Sequence, residues 1–447
     1  MKRSRWAVLT VGVVTVLATA HVSSVGATVG GQTKQALKAT EIGVTDKEIR
    51  IAVIADNDTP LAPGLFKKSA EAVQAFAKYI NSKKGGGGLA GRKVVVDFID
   101  SKLNPDETRN AIIKACQNDF AMVGTTALFV NNVDDMVQCK DANGKATGIP
   151  DIPELTTDPK HQNSPVSFPI IAAEKDFSDA SGRTYHVRIG PYRWFQKNVD
   201  KNLHGIFLIP ADLQSTRTAT LPGVLAAQKI GVKKDDQFDV HGRDSQDMFL
   251  PYTQSIKSNS SNIVRNGSND VAMANMRKEA QTQGVTSVKV WYCSLACYST
   301  RFLQQAGAAG EGQYVDTFFV PLEEAKKSPP VKAFLDSVGG AANTDGFGAQ
   351  AWVAALAFKQ VVNSIAKANV NGLTRAKFLD EIRKVHDFSA EGMIGKVDLG
   401  GKKPSGCFTL LQAKGGKWVR VWPKKTATFD CSPSNLYPLN ADIEGAG

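Results

Sequence analysis

Short apolar, β-branched runs alternate with amphipathic segments along most of this chain, and that alternation restricts the folds open to it. "EIRIAVIAD" (48–56) reads as a buried strand. In "GLFKKSAEAVQAFAKYINS", Phe66, Ala70, Val73, Ala77 and Ile80 recur three or four residues apart and make one apolar helical face. "RKVVVDFID" is a second strand. "NPDETRNAIIKACQN" opens a helix with Asn104 as N-cap, Pro105 at the first turn and Glu107 at the third position. "DFAMVGTT" is a third strand. Segments 131–140, 195–202, 214–230, 271–283, 299–306 and 374–385 read as helices, and 184–189, 204–210, 286–292 and 314–320 as strands. "GFGAQAWVAALAFKQVVNSIA" (346–366) is apolar nearly all round in its first half, so a deeply buried helix is expected. Strands alternating with helices imply an α/β fold of parallel sheets with helices on both faces. With 447 residues there is room for two or three such domains.

"YINSKKGGGGLAGRKVVVDFID" (79–100) raises the question of a phosphate cradle. A cradle follows a strand and opens a helix, so that the helix N-terminus faces the anion. Here the order is helix, glycines, strand, and Gly85–Gly88 fall where a helix C-cap and a left-handed turn are needed. No G-x-S-x-G elbow or His-Glu-x-x-His helix is present, and His161, His186, His204, His241 and His386 are scattered. His241, near Asp244 and Asp247, could mimic acid–base machinery, but a polar loop is the simpler reading. Neither an enzyme nor a cofactor is expected.

"MKRSR" followed by "WAVLTVGVVTVLATA" reads as a cleaved export signal within 1–27, with cleavage after Ala20 or Ala27. The apolar run is short for a span of roughly 20 residues. An exported, periplasmic or extracellular chain follows. The formal charge is +11, and loss of Lys2, Arg3 and Arg5 with the signal lowers it to +8. The excess is spread along the chain, with no basic–aromatic run for nucleic acid. Six cysteines in an exported chain favour disulfides, and their order suggests Cys116–Cys139, Cys293–Cys297 and Cys407–Cys431. No cysteine and histidine spacing suits a metal.

The run of "GVTDKEIRIAVI", a long helix ending in "YIN", a glycine turn, "GRKVVVDFID", a helix ending in cysteine, "MVGTTA", and later "GIP", "YHVRIGPY", "PPVKAFLDS", "AWVAALAF" and "GMIGKVDL" resembles the type I periplasmic binding proteins, specifically the branched-chain amino acid (leucine/isoleucine/valine) group of ABC importers. The likeness spans roughly 43–425. It implies two doubly wound α/β lobes with a ligand cleft between them, a Venus-flytrap that closes by a hinge. It also implies a small-molecule ligand and a membrane permease partner; a sensory protein of the same fold is the alternative. Lobe 1 is expected at 45–190 and 314–390, and lobe 2 at 191–313 and 391–425. A flexible lead-in (28–44) and an irregular C-terminal tail (426–447) complete the chain.

In open α/β sheets ligands sit beyond the carboxyl ends of the strands. Thr125 and Thr126, just past a strand, could hold a carboxylate or cap the next helix. Ile152, Pro153 and Glu154, in "GIPDIPELTT", are similar to the second ligand loop of the family, or form a surface turn. Tyr292, Ser294 and Tyr298 from "WYCSLACYSTRF", with Trp194 and Phe347, are cleft candidates or core. The loop "CSLACYS" carries no acid where family members pair an ammonium; Asp212 alone follows a strand end in the second lobe. A buried, unpaired ammonium is costly. The expected ligand therefore has a carboxylate and an apolar or aromatic body.

Overall fold

A computed structural model of the chain describes residues 35–59 and 64–443, so the expected signal peptide lies outside the described residues. From Leu37 onward the chain forms one compact unit. Its first half alternates β1 (Glu48–Ala55), α1 (Lys67–Asn81), β2 (Lys93–Asp100), α2 (Pro105–Asn118), β3 (Ala121–Val123), α3 (Asp134–Val137), β4 (Asp151–Ile152) and α4 (Pro159–Asn163). β1 to β4 form a parallel sheet in the order β2-β1-β3-β4. Asn104 caps α2 as its sequence implies, accepting from the N–H groups of Asp106 and Glu107. Of the helix expected at 131–140, only α3 forms.

The second sheet draws on β6 (His204–Pro210), β7 (Lys233–Val240), β8 (Ile263–Asn266), β9 (Val290–Cys293), β10 (Gln313–Thr317), β11 (Thr409–Lys414) and β12 (Lys417–Trp422), in the order β12-β11-β10-β9-β8-β6-β7. β6 to β10 run parallel, and β11 and β12 add an antiparallel hairpin at one edge. In both sheets the first strand lies inside the second and the third lies on its other side, which creates a switch point. β5 (Thr184–Arg188), α5 (Gly190–Asn198), α6 (Gln214–Lys229), α7 (Leu250–Asn259), α8 (Asp270–Thr282), α9 (Thr300–Ala306), α10 (Pro329–Val338), α11 (Gly346–Ala368), α12 (Arg375–Ile382) and β13 (Leu436–Asn440) complete the chain.

Several expected positions are corrected. The strand expected at 314–320 in the first lobe is β10, and it belongs to the second sheet. The tail is not irregular throughout: β13 pairs antiparallel with β5, and Leu439 packs in the same apolar cluster as Phe207 and Tyr292. Residues 37–44 are not a loose lead-in. Arg92, fully buried, donates to Lys38 O and Thr45 O, and Thr40 Oγ1 donates to Leu373 O.

The glycine run ends α1 and turns the chain. Gly86, Gly87 and Gly88 take φ of 104°, 84° and 131°, and a Cβ on Gly88 would come within 2.1 Å of Arg92 O. α11 is the buried helix its composition implies. Trp352, 1% exposed, packs against Phe76, Tyr79 and Phe334, so α11 lies on α1 and α10 over the first sheet. The three cysteine pairs form as their order suggests. No described helix is long and apolar enough to cross a membrane.

The first sheet carries one electrostatic cost. Asp119, 1% exposed, is met by no hydrogen-bond donor on either carboxyl oxygen. Burial, reinforced by neighbouring Asp97, pushes its pKa from 3.8 to about 8. Between those values the folded chain holds a proton that the unfolded chain has released, so stability falls as pH rises through that window. Asp119→Asn removes the ionisable group and keeps a donor for Asp97. Its melting temperature should exceed the parent's by at least about 2 °C at pH about 8, and by less at pH about 4. An equal difference at both pH values would show that Asp119 is not protonated in the fold.

Candidate functional site

Parallel strands deliver their outgoing loops to one edge of a sheet, and here the outgoing loops of both sheets line a single cavity of about 530 Å³. Leu65 and Phe66 follow β1, Leu103 follows β2, Leu128 follows β3 and Leu155 follows β4. From the second sheet, Asp212 follows β6, Gly267 to Asp270 follow β8, and Ser294 follows β9. The start of α11 contributes Phe347 and Gln350, and Phe347 meets Phe66 edge-on at 5.1 Å. α6 presents Thr216, Thr220 and Val224. Pro222, also in this wall, has no N–H to give Thr218 O, so α6 carries a break in its ladder beside the cavity.

The second-sheet wall holds a polar cluster set in aromatic rings. Phe207, Arg265, Tyr292 and Tyr314 are neighbours in register across β6, β8, β9 and β10. Asp316 lies two residues beyond Tyr314, on the same face. Tyr292 Oη donates to Asp316 Oδ1 at 2.7 Å, and the Arg265 guanidinium lies 4.8 Å from the Tyr292 ring centre. Phe195 and Tyr192 pack edge-on against Tyr292 at 5.3 and 5.5 Å. Arg188 from β5 pairs with Glu174 at 3.3 Å. Burial raises the pKa values of Glu174 and Asp316, although Arg188 and Tyr292 respectively oppose it. Against the burial that disfavours its charge, Tyr192, Tyr292 and Asp316 hold Arg265 protonated.

A second group stands where α8, α9 and α11 begin. Arg301 makes a two-pronged pair with Asp270, at 2.8 and 2.7 Å. Asp345 caps α11 through Gly348 N. Its pKa is raised to about 6 by burial and by nearby Asp270, against the pull of that N–H.

Of the residues singled out from sequence, Asp212, Tyr292, Ser294, Tyr298 and Phe347 border the cavity. Asp212 also accepts from His241 Nδ1 at 3.0 Å and from Gly242 N at 2.7 Å, so the acid–base look of His241 resolves into an exposed loop contact. Tyr298 Oη donates to Glu323 and accepts from Leu322 N, which makes it a strut as well as a wall.

Thr125, Thr126, Ile152, Pro153, Glu154 and Trp194 are not among the lining residues. Asp151 is the reason for the first: it takes Thr125 Oγ1 at 2.7 Å, along with His161 Nε2 and Ser167 Oγ, and the hydroxyl is spent inside the core. Thr126 Oγ1 turns back to Gly124 O. Ile152 is wholly buried. The adjoining peptide at Pro153 accepts from Ile170 N through its carbonyl. Glu154, also wholly buried, is held by Ser69 Oγ and by the Gln350 amide, oriented so that its nitrogen donates; burial keeps its pKa well above the ordinary value. Trp194 packs on Phe195 and Tyr314.

The acids that reach the cavity, Glu174, Asp212, Asp270, Asp316 and Asp345, come from outside the "CSLACYS" loop, so its lack of an acid does not leave the cavity without carboxylates. Arg265 and Asp316 did leave a trace in the sequence. Each is a charged residue inside a β-branched or aromatic run, "NIVRNG" and "QYVDTFF", where a strand would bury it.

Residues 48–417 match the family described as "Periplasmic binding protein". No curated protein sequence is significantly similar to the chain. Among solved structures, the chain is similar to a leucine-binding protein from Thermotoga maritima, at 16% identity and a TM-score of 0.63 over 83% of this chain and 97% of that one. It is similar to a fatty acid ABC transporter substrate-binding protein from Thermomonospora curvata, at 17% identity and a TM-score of 0.68 over 89% and 96%. A third is a branched-chain amino acid transporter substrate-binding protein from Streptococcus pneumoniae in complex with isoleucine, at 17% identity and a TM-score of 0.60 over 84% and 100%. At these identities the likeness is one of fold. The family match covers most of the chain, and the two doubly wound sheets meeting at one cavity agree with it: the chain belongs to the periplasmic binding proteins and has their type I fold.

Proposed function

We propose that this protein is the exported solute-binding component of an ABC importer, and that it binds a small carboxylate-bearing molecule with an apolar or aromatic body. The observation that carries the reading is the cavity of about 530 Å³ at the carboxyl ends of both sheets, walled by Leu65, Phe66, Leu128, Leu155, Phe207 and Phe347. Ligand cavities of roughly 300–1,000 Å³ with apolar walls and a few placed polar groups suit molecules of drug size. Arg301 engages Asp270 and Arg188 engages Glu174, while Asp316 and Asp345 have only the neutral donors Tyr292 Oη and Gly348 N and burial raises the pKa of both. The two sheets then act as lobes that close on the ligand by a hinge, and the closed form is what a membrane permease would recognise.

A thermal-shift series on the mature protein tests this. A carboxylate with an apolar chain or ring at about 100 times its Kd should stabilise the fold by about 2.7 kcal/mol and raise the midpoint with dose. Leucine alone raising the midpoint, with no response to such carboxylates, would reject the ligand class. Thr220→Trp, placed on the α6 wall, should diminish the shift by narrowing the cavity while the unfolding free energy from urea titration stays within about 1 kcal/mol of the parent. Undiminished binding by that variant would place the ligand elsewhere.

A further inference from the structure

Three arginines reach the cavity, and they are not equivalent. Arg188 is paired with Glu174, and its Nη2 and Nε also donate to Ala172 O and Ser405 O. Arg301 is paired on both prongs with Asp270. Among the described residues Arg265 makes no ion pair, and its Nη1, shut off from solvent, has no hydrogen-bond partner. An enclosed guanidinium N–H without an acceptor is costly, and each such group in a native fold calls for an explanation. Tyr192 and Asp316 lie near enough to favour the charge of Arg265, but neither meets Nη1, and Asp316 Oδ1 accepts from Tyr292 Oη.

We infer that Arg265 is the anchor for the ligand's carboxylate, so that the ligand is held by its acidic end on the second sheet. Its apolar body then runs toward Leu65, Phe66 and Phe347. The inference rests on the function proposed above and fixes the specificity-determining residue and the ligand's orientation. Arg265 stands at the carboxyl end of β8, next to the switch point between β6 and β8, where ligands of open α/β sheets gather. The guanidinium lies 4.8 Å from the centre of the Tyr292 ring, and its planar fork suits two-point recognition of a carboxylate. Each of the four outgoing loops of the first sheet brings an apolar residue to the cavity, Leu65 and Phe66, Leu103, Leu128 and Leu155, which suit a hydrocarbon, with Thr156, Thr157 and Gln162 beside them after β4. Thr125 and Thr126 are committed to Asp151 and Gly124, and the hydroxyls that do border the cavity on that side, Thr156 and Thr157, carry no charge to match a carboxylate.

Calorimetric titration with decanoate and with decanol, as a matched pair, separates the contributions of head and tail. The parent should bind decanoate more tightly than decanol. In Arg265→Gln, decanoate affinity should fall about 10- to 100-fold, the worth of a charge-assisted bond, while decanol affinity holds. Arg265→Lys keeps the charge beside Asp316 and Glu174 and loses the planar fork. It should retain part of the preference, and it provides a folded test if the glutamine variant unfolds. A parent that binds decanoate, with both variants preferring it as strongly, would overturn Arg265 as the anchor and leave the binding function standing. A parent that binds neither probe nor any aromatic carboxylate would overturn both.

Discussion

A parallel strand cannot return to its neighbour without a crossover, so every outgoing loop of a parallel sheet lands on the same edge. That constraint organises this molecule. Two such sheets, each with its first strand set inside its second, turn their loop-bearing edges to one cavity. The helices between strands are then free to cover the faces, and the chemistry collects at the edge. α11 shows the division of labour: its middle, around Trp352, packs the first sheet, while its first turn brings Asp345, Phe347 and Gln350 to the cavity.

Burying charge beside that cavity is the molecule's main electrostatic expense, and it is contained by pairing. Arg188 with Glu174, Arg301 with Asp270, and Tyr292 with Asp316 form a wall in which most polar atoms have an answer. Glu154 and Asp151 use the same device one layer deeper, tying β4 to α1, α4 and α11. These contacts explain why the loops after β3 and β4 support the cavity without lining it.

Much of the fold was legible in the sequence because it was local. Asn104, Pro105 and Glu107 mark a helix start wherever they occur, and the period of Phe66 to Ile80 names a buried face. The order of helix, glycines and strand excluded a phosphate cradle for the same reason. What escaped was set by long-range pairing. β13 is a strand because β5 lies beside it, about 250 residues away in sequence; "LYPLN" alone, with its proline, argues against a strand. β10 joined the second sheet because register with β9 decided it, which no local pattern encodes. The site divided likewise. Ser294 and Phe347 were found because they follow a strand or open a helix, and Tyr292 because it stands near the end of β9, beside the loop. Arg265 and Asp316 were missed because they lie inside strands, and Thr125 misled because its partner, Asp151, is invisible until the loop folds over it.

The account turns on which end of the ligand meets which sheet. A crystal structure of the protein with an ω-brominated medium-chain carboxylate would settle this through the anomalous signal of the bromine. The bromine is predicted beside Leu65, Phe66 and Phe347, with carboxylate density against Arg265. A bromine peak at Arg265, or one outside the cavity, would contradict it.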